Sequence, residues 1–156
     1  MKSNRKLVLG EEIEKMFPKR TCIAEDFDYS IIEKYRHEWE TVSRVGQCAV
    51  FVFDCFTHKF VYASDIALDL FGLTVEDFLK KGHDPAFDLI HPDDVELIVL
   101  TRKKAYQLLE ALPVEEVKEY KLVHEFRFRN IQGNYVRITE QEQVIELDSD
   151  GVIRLM

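Results

Sequence analysis

Apolar residues recur at Ile32, Tyr35, Trp39 and Val42, at spacings of three, four and three, so residues 28–46 carry one stripe of an amphipathic helix. Asp28 and Ser30 suit its first turn as caps, and Gly46 ends it. The period then changes to two. Ala49-Val50-Phe51-Val52-Phe53-Asp54 is a β-branched and aromatic run that predicts a strand. Ala49, Phe51 and Phe53 share one face, Val50 and Val52 the other, and because both faces are apolar each needs a cover. A polar turn leads to Lys59-Phe60-Val61-Tyr62-Ala63, the expected hairpin partner.

Short helices follow. Ser64 is a candidate cap for a helix carrying Ala67, Leu70 and Phe71 on one face, with Gly72 as its stop. Thr74-Val75-Glu76-Asp77 has the form of a helix start, and Asp84-Pro85 places a cap before a proline. His91-Pro92-Asp93-Asp94 opens a long helix from about Pro92 to Leu112, with Val95, Ile98, Ala105, Leu109 and Leu112 near one face. In Leu122–Asn130 the residues His124, Phe126 and Phe128 alternate with Glu125, Arg127 and Arg129, which predicts a one-sided strand. Gln132-Gly133-Asn134 turns the chain into a strand from Tyr135 to about Leu147. A turn at Asp148-Ser149-Asp150-Gly151 then starts a fifth strand at Val152, which stops at Met156. The plan is α+β, with an antiparallel sheet and helices on one face. The stop inside a strand predicts a piece of a longer polypeptide, with its fifth strand truncated and any output domain downstream. Residues 1–27 mix charges with scattered apolar positions around Pro18 and read as a short helix or loose arm.

A chain of 156 residues makes one domain, with about 68–70% of its extended surface available for burial. Its formal charge of −8, with no basic cluster, disfavours direct contact with nucleic acid or an anionic membrane. No apolar run near the start is long enough for a signal peptide or a membrane span, so a cytoplasmic location is expected. Cys22, Cys48 and Cys55 lack the paired spacing of metal or redox motifs and read as plain thiols.

Taken in order, four stretches resemble the PAS sensor family over about residues 45–156. They are Val50-Phe51-Val52-Phe53-Asp54; Phe60-Val61-Tyr62 leading into Ala67-Leu68-Asp69-Leu70-Phe71-Gly72; Phe87-Asp88-Leu89-Ile90-His91-Pro92-Asp93-Asp94; and Glu125-Phe126-Arg127-Phe128-Arg129 with Gly133-Asn134-Tyr135-Val136-Arg137-Ile138. Ser64-Asp65 stands where many relatives carry an Asn, and Gln132-Gly133 with Tyr135 replaces a frequent Asp-Gly and Trp. The resemblance implies a PAS domain at 47–156 behind the flanking helix 28–46. It further implies a five-stranded antiparallel sheet in the order 2-1-5-4-3 and a sensory or regulatory role. The His-Pro-Asp-Asp step resembles modules that precede a LuxR-type DNA-binding domain, with a histidine kinase as the alternative output.

The resemblance also frames the candidate chemistry. Haem-binding relatives use a histidine on the long helix, where this chain has none, and flavin photosensors use an Asn-Cys-Arg segment, which is absent. No cofactor is expected. His91, Asp93 and Asp94 read as a helix start rather than a metal cluster, and no metal is expected. Phe51, Phe53, Leu70, Phe71, Phe78, Phe87, Ile98, His124, Phe126 and Phe128 are candidate pocket-lining residues, for a small apolar ligand or for a completely filled core. Ile32, Tyr35, Trp39 and Val42 either dock on the domain's own sheet or form a homodimer seam. A small α+β enzyme would need a His or carboxylate pair converging in a cavity. His124 reads as inward, while Glu125, Glu140 and Glu142 read as facing away from Phe126, so no catalytic residue is expected.

Overall fold

The computed structural model describes residues 28–67, 72, 74–76, 79 and 88–156. Helix α1 covers Ser30–Gly46, its start marked by Asp28 Oδ1 accepting from the Ser30 amide at 2.8 Å. Gln47 takes the left-handed conformation that closes it, at φ 48°. Strands β1 (Phe51–Asp54) and β2 (Lys59–Ala63) form the predicted hairpin, with an irregularity between Val52 and Phe53 that pairs Phe53 with Phe60. Helix α2 covers Val95–Glu110, shorter at both ends than the predicted span. Strands β3 (Lys121–Arg129) and β4 (Tyr135–Gln143) form a second hairpin, followed by β5 (Glu146–Leu147) and β6 (Ile153–Leu155).

The strands do not join into one five-stranded sheet. A four-stranded sheet has the order β2-β1-β6-β5, and β3-β4 is a separate two-stranded sheet. The predicted strand 135–147 is divided at Val144 and Ile145. Val144 is buried, Ile145 donates its amide to the Leu155 carbonyl at 2.8 Å, and a register shift follows between Glu146 and Leu147. The chain thus leaves β3 at Gln143 and takes up β6 two residues later. β6 lies between β1 and β5, and Phe53 and Met156 exchange backbone hydrogen bonds of 2.9 and 3.0 Å.

Both faces of β1 are covered, as its apolar alternation requires. On one face Ile32 of α1 packs with Val52, Tyr62 and Leu155, joined by Trp39, Val50 and Ile145. On the other, Phe51 and Phe60 pack around Ala63 and Ala67 with Val75 and Leu79. The stripe on α1 therefore docks on its own domain's sheet through Ile32 and Trp39, whereas Tyr35 and Val42 are 37% and 57% exposed. The Trp39 ring lies 5.2 Å from that of Tyr62.

Polar contacts fix α1 in place. The Tyr29 hydroxyl donates to Asp54 at 2.5 Å, the Tyr62 hydroxyl to Glu40 at 2.7 Å, and Arg154 to the Asp28 carbonyl at 3.0 Å. Ser64, expected as a helix cap, is instead buried between α1 and β1. Its hydroxyl accepts from Ser43 Oγ at 2.9 Å and from the Val50 amide at 3.0 Å.

Ile32→Ala removes the buried anchor of α1 and is expected to cost about 2–5 kcal/mol. Urea titration followed by the fluorescence of Trp39, the chain's one tryptophan, should show an earlier midpoint. An unchanged midpoint refutes docking through Ile32.

Candidate functional site

Ile98, Arg102 and Tyr106 recur every four residues along α2 and so share one face. That face lies against the β3–β4 hairpin. Antiparallel register there sets Phe128 opposite Val136, Phe126 opposite Ile138, His124 opposite Glu140, and Leu122 opposite Glu142. All eight point to one side, because the side-chain period is two. The interface is apolar at one end, where Ile98 packs with Ile90, Phe126 and Phe128. It is ionic at the other.

At the ionic end Arg102 bridges two carboxylates. Its Nη2 donates to Glu140 Oε2 at 2.8 Å and its Nε to Glu142 Oε1 at 2.6 Å. The Tyr106 hydroxyl donates to Glu142 Oε2 at 3.0 Å. His124 Nε2 lies 2.6 Å from Glu140 Oε2 and 3.7 Å from Glu142 Oε1, and the ring meets Phe126 edge-on at 5.5 Å. The His124, Glu142 and Arg102 side chains are only 10%, 14% and 15% exposed. His124 Nδ1 is buried and has no hydrogen-bond partner among the described residues.

The environment fixes most of these charges. Burial opposes the Arg102 guanidinium, but Glu142 and Glu140 outweigh it and hold the pKa above its ordinary value. Burial likewise opposes the Glu140 carboxylate, and Arg102 and His124 reverse this, leaving its pKa lowered. Burial, then the Glu142 charge, pushes the Tyr106 phenol well up. The neighbouring Cys55 thiol is also pushed well up, by burial first and then by Asp54 and Glu142.

This arrangement corrects the expected orientation of Glu140 and Glu142. Register, not alternation within one strand, brings them to His124. Glu125 does face away, 3.5 Å from Arg137. The overlooked signal was the spacing of Arg102 and Tyr106 behind Ile98, which places a cation and a phenol over an inward carboxylate pair.

One donor atom each from His124, Glu140 and Glu142 lies within 4.8 Å of the others, the spread of a three-ligand metal site. The donor set does not fit a resident metal. Arg102 already occupies both carboxylates, and Nδ1 lacks the acceptor that orients a metal-bound imidazole. The group is an ion-pair network.

The other candidates separate into three places. Phe126, Phe128 and Ile98 form the apolar end of this interface, and Phe51 and Phe53 pack around Phe60 at 5.6 and 5.3 Å. Leu70, Phe71, Phe78 and Phe87 lie outside the described residues. A cleft of about 40 Å³ opens beside the network, lined by Asp94, Leu97, Ile98, Thr101, His124, Glu125 and Phe126.

At the helix start Asp94 does not cap α2 with its side chain. Its carboxylate accepts from the Arg127 amide at 2.8 Å and from the guanidinium at 2.5 and 3.0 Å. His91 Nδ1 accepts instead from the Asp93 amide at 3.2 Å. The Arg127 side chain thus ties the start of α2 to β3 and, with the backbone bond and His91, holds the Asp94 pKa at about 2.

The PAS fold is the family that matches the chain, over residues 60–156. No curated protein matches. Among solved structures, the N-terminal domain of a diguanylate cyclase with PAS/PAC sensor from Marinobacter aquaeolei is similar with a TM-score of 0.51 at 18% identity, over 69% of this chain and 86% of that one. A sensory box histidine kinase/response regulator from Burkholderia thailandensis gives 0.48 at 18%, over 76% and 78%. PAS-B of Drosophila melanogaster Cycle with bound ethylene glycol gives 0.44 at 14%, over 68% and 94%. At 18% identity the first of these likenesses speaks for the fold alone. No described helix is long and apolar enough to cross a membrane.

Arg102→Met leaves two carboxylates in the interface without their cation and is expected to destabilise the domain by about 3–5 kcal/mol, read from chemical denaturation. Asp94 gives a separate signature. A carboxylate lowered from 3.8 to about 2 stabilises the fold above the higher value and loses that contribution as pH falls through the lower. Asp94→Asn should flatten the decline of the urea midpoint across that window. A decline as steep as the wild type's refutes the Asp94–Arg127 linkage.

Proposed function

The chain belongs to the PAS-fold family, and we propose that it is a sensory or regulatory module without catalysis of its own. The observation that carries this reading is the seating of α1. One sheet face receives Ile32 and Trp39, and Arg154 of β6 bonds to the Asp28 carbonyl just before the helix. The segment entering the domain and the last strand therefore share one support. A cue that favours one arrangement of that support shifts both together, as a change of population between two states. The network at His124 does not favour an enzyme: Arg102 engages both carboxylates, and a cleft of about 40 Å³, room for a few waters at about 10–15 Å³ each, is small for a substrate.

In the finer reading the module is cytoplasmic and bacterial, and it controls a LuxR-type DNA-binding domain. The His91-Pro92-Asp93-Asp94 step supports that output. The coding sequence following Met156 tests it: a helix-turn-helix supports it, and a kinase core replaces it with the sensor-kinase alternative. The module is homodimeric, through the edge of α1 that the sheet leaves uncovered, where Val42 and Val45 are 57% and 81% exposed.

Two measurements check the proposal. Native mass spectrometry of freshly purified protein, compared with the denatured mass, separates the alternatives: extra mass lost on denaturation supports a sensor that holds a small apolar ligand. If no retained mass is found and no small molecule in a panel shifts stability or association, sensing fails and a purely dimerising module remains. Light scattering should give a dimer that Val42→Glu with Val45→Glu converts to a monomer without moving Trp39 emission; a monomeric wild type refutes the seam.

A further inference from the structure

We propose that the open edge of β3 is a self-pairing site: β3 of a second copy adds to it antiparallel along Lys121–Glu125, centred on Val123, and joins two β3–β4 hairpins into one continuous sheet. This surface is not the edge of α1, so the inference goes beyond the reading above and does not rest on it. β3 is bonded to β4 along one side. Among the described residues, its other side is covered at the far end alone. There the His91 amide donates to the Arg127 carbonyl at 2.8 Å, the Arg129 amide donates to the Leu89 carbonyl at 2.7 Å, and the Asp94 carboxylate accepts from the Arg127 amide at 2.8 Å.

Those bonds identify the residues that address the open side. Backbone groups alternate between the two sides of a strand with a period of two, so Lys121, Val123 and Glu125 turn their N–H and C=O groups the same way as Arg127 and Arg129. No described strand pairs with them there. The 3-10 turn Val117–Glu119 lies just before this stretch and the contact with Leu89–His91 just after it, so every copy offers the same short length of edge. Apolar side chains flank it uncovered: Val123 is 53% exposed on the outer face, and Leu97 of α2 is 62% exposed. The cleft beside α2 is lined by His124 and Phe126, which face the helix, and also by Glu125, which faces away, so it opens along this edge.

Charge commits the edge to a copy of itself. Antiparallel pairing about Val123 sets Lys121 opposite Glu125 of the second copy, and Glu125 opposite its Lys121. Both pairs, and Val123 with its counterpart, fall where facing residues exchange N–H···O=C bonds, because all three residues address the edge. Opposite charges directly across from one another are attractive, and here they are so at both ends. Charge of a single sign would guard this edge against its own copies. The two-fold axis instead brings each charge onto its opposite. Glu125 is available for this, since its contact with Arg137 is 3.5 Å long between side chains 55% and 70% exposed. On the α2 side the same axis sets Leu122 beside His124 of the second copy, where Leu97 borders the cleft. The contact is isologous, and together with pairing through α1 it would join dimers into rows.

The test uses the chain carrying Val42→Glu and Val45→Glu, so that pairing through α1 does not contribute. Sedimentation equilibrium is followed up to concentrations on the order of millimolar, because so short an edge lies at the small end of interface size. This parent should dimerise as its concentration rises. Lys121→Glu sets carboxylate against carboxylate at both ends of the pairing, and Glu125→Lys sets ammonium against ammonium. Each should lower the association constant by about tenfold or more. An equimolar mixture of the two variants is attractive at both ends and should associate as the parent does, and so should a chain carrying both substitutions. A mixture that associates no better than either variant alone, or a parent that stays monomeric, overturns the proposal.

A measurement on the wild type guards against variants that alter the fold. Hydrogen exchange at the Lys121, Val123 and Glu125 amides should slow together as protein concentration rises, because those amides gain acceptors only in the paired state. Exchange at the Leu122 and His124 amides, which face β4, should not change with concentration. Val123 exchange that ignores concentration overturns self-pairing and leaves the edge to a strand of another protein.

Discussion

The register of β3 on β4 decides what the interior of this domain contains. Nine residue pairs run from Lys121–Gln143 to Arg129–Tyr135 without a shift. Sliding one strand by a single residue would turn its whole inward set to solvent. For β4, Glu140 and Glu142 would leave the interface, and Arg102 would face Thr139, Gln141 and Gln143, none of which carries a charge. The turn pins the register: Asn130 Oδ1 accepts from the Gln132 and Asn134 amides at 3.1 and 3.0 Å, and Gly133 takes φ 84°. A short polar turn thus determines where a guanidinium can be buried on a helix thirty residues earlier.

The same register explains why the sheet divides. Arg102 engages β4 near its end, through Glu140 and Glu142, and Gln143 donates to the Lys118 carbonyl at 2.7 Å. Two residues later the chain must meet β6, whose Leu155 is fully buried beneath α1. One strand serves two supports with different cores, and Val144 and Ile145 are where it changes from one to the other. Among the described residues, the apolar cluster around Ile32 and the one around Ile98 are separate, and this short, continuous stretch of backbone joins them.

What was legible in the sequence was whatever a single element encodes. The period of Ile32, Tyr35, Trp39 and Val42 gave α1, and the apolar faces of Phe51–Asp54 announced covers on both sides, one of which α1 supplies. What escaped needed two elements at once. Glu140 looks outward only until β4 is laid against β3, and Arg102 looks like a surface residue until Ile98 fixes the helix's rotation. Ser64 had a cap's identity and position, yet the approach of Ser43 gave its hydroxyl a buried use. Asp94 similarly stood where a cap stands and was taken by Arg127, whose charge outweighs a single amide. Local rules assign these side chains correctly until a stronger partner arrives from elsewhere in the chain.

A network of this kind is a poor way to gain stability, since apolar residues of like volume hold an interface as well or better. Its use lies in discrimination between arrangements. An apolar interface tolerates small displacements with gradual loss, whereas bonds of 2.6 to 3.0 Å from Arg102 and Tyr106 fail together once α2 moves. The apolar end at Ile98, Phe126 and Phe128 holds the helix near the hairpin in either case. The ionic end then selects one seating of α2, because the Arg102 bonds need Glu140 and Glu142 where the β3–β4 register sets them. Those bonds end on β4, a few residues before the Ile145 amide meets Leu155 of β6, beside the support that α1 also uses.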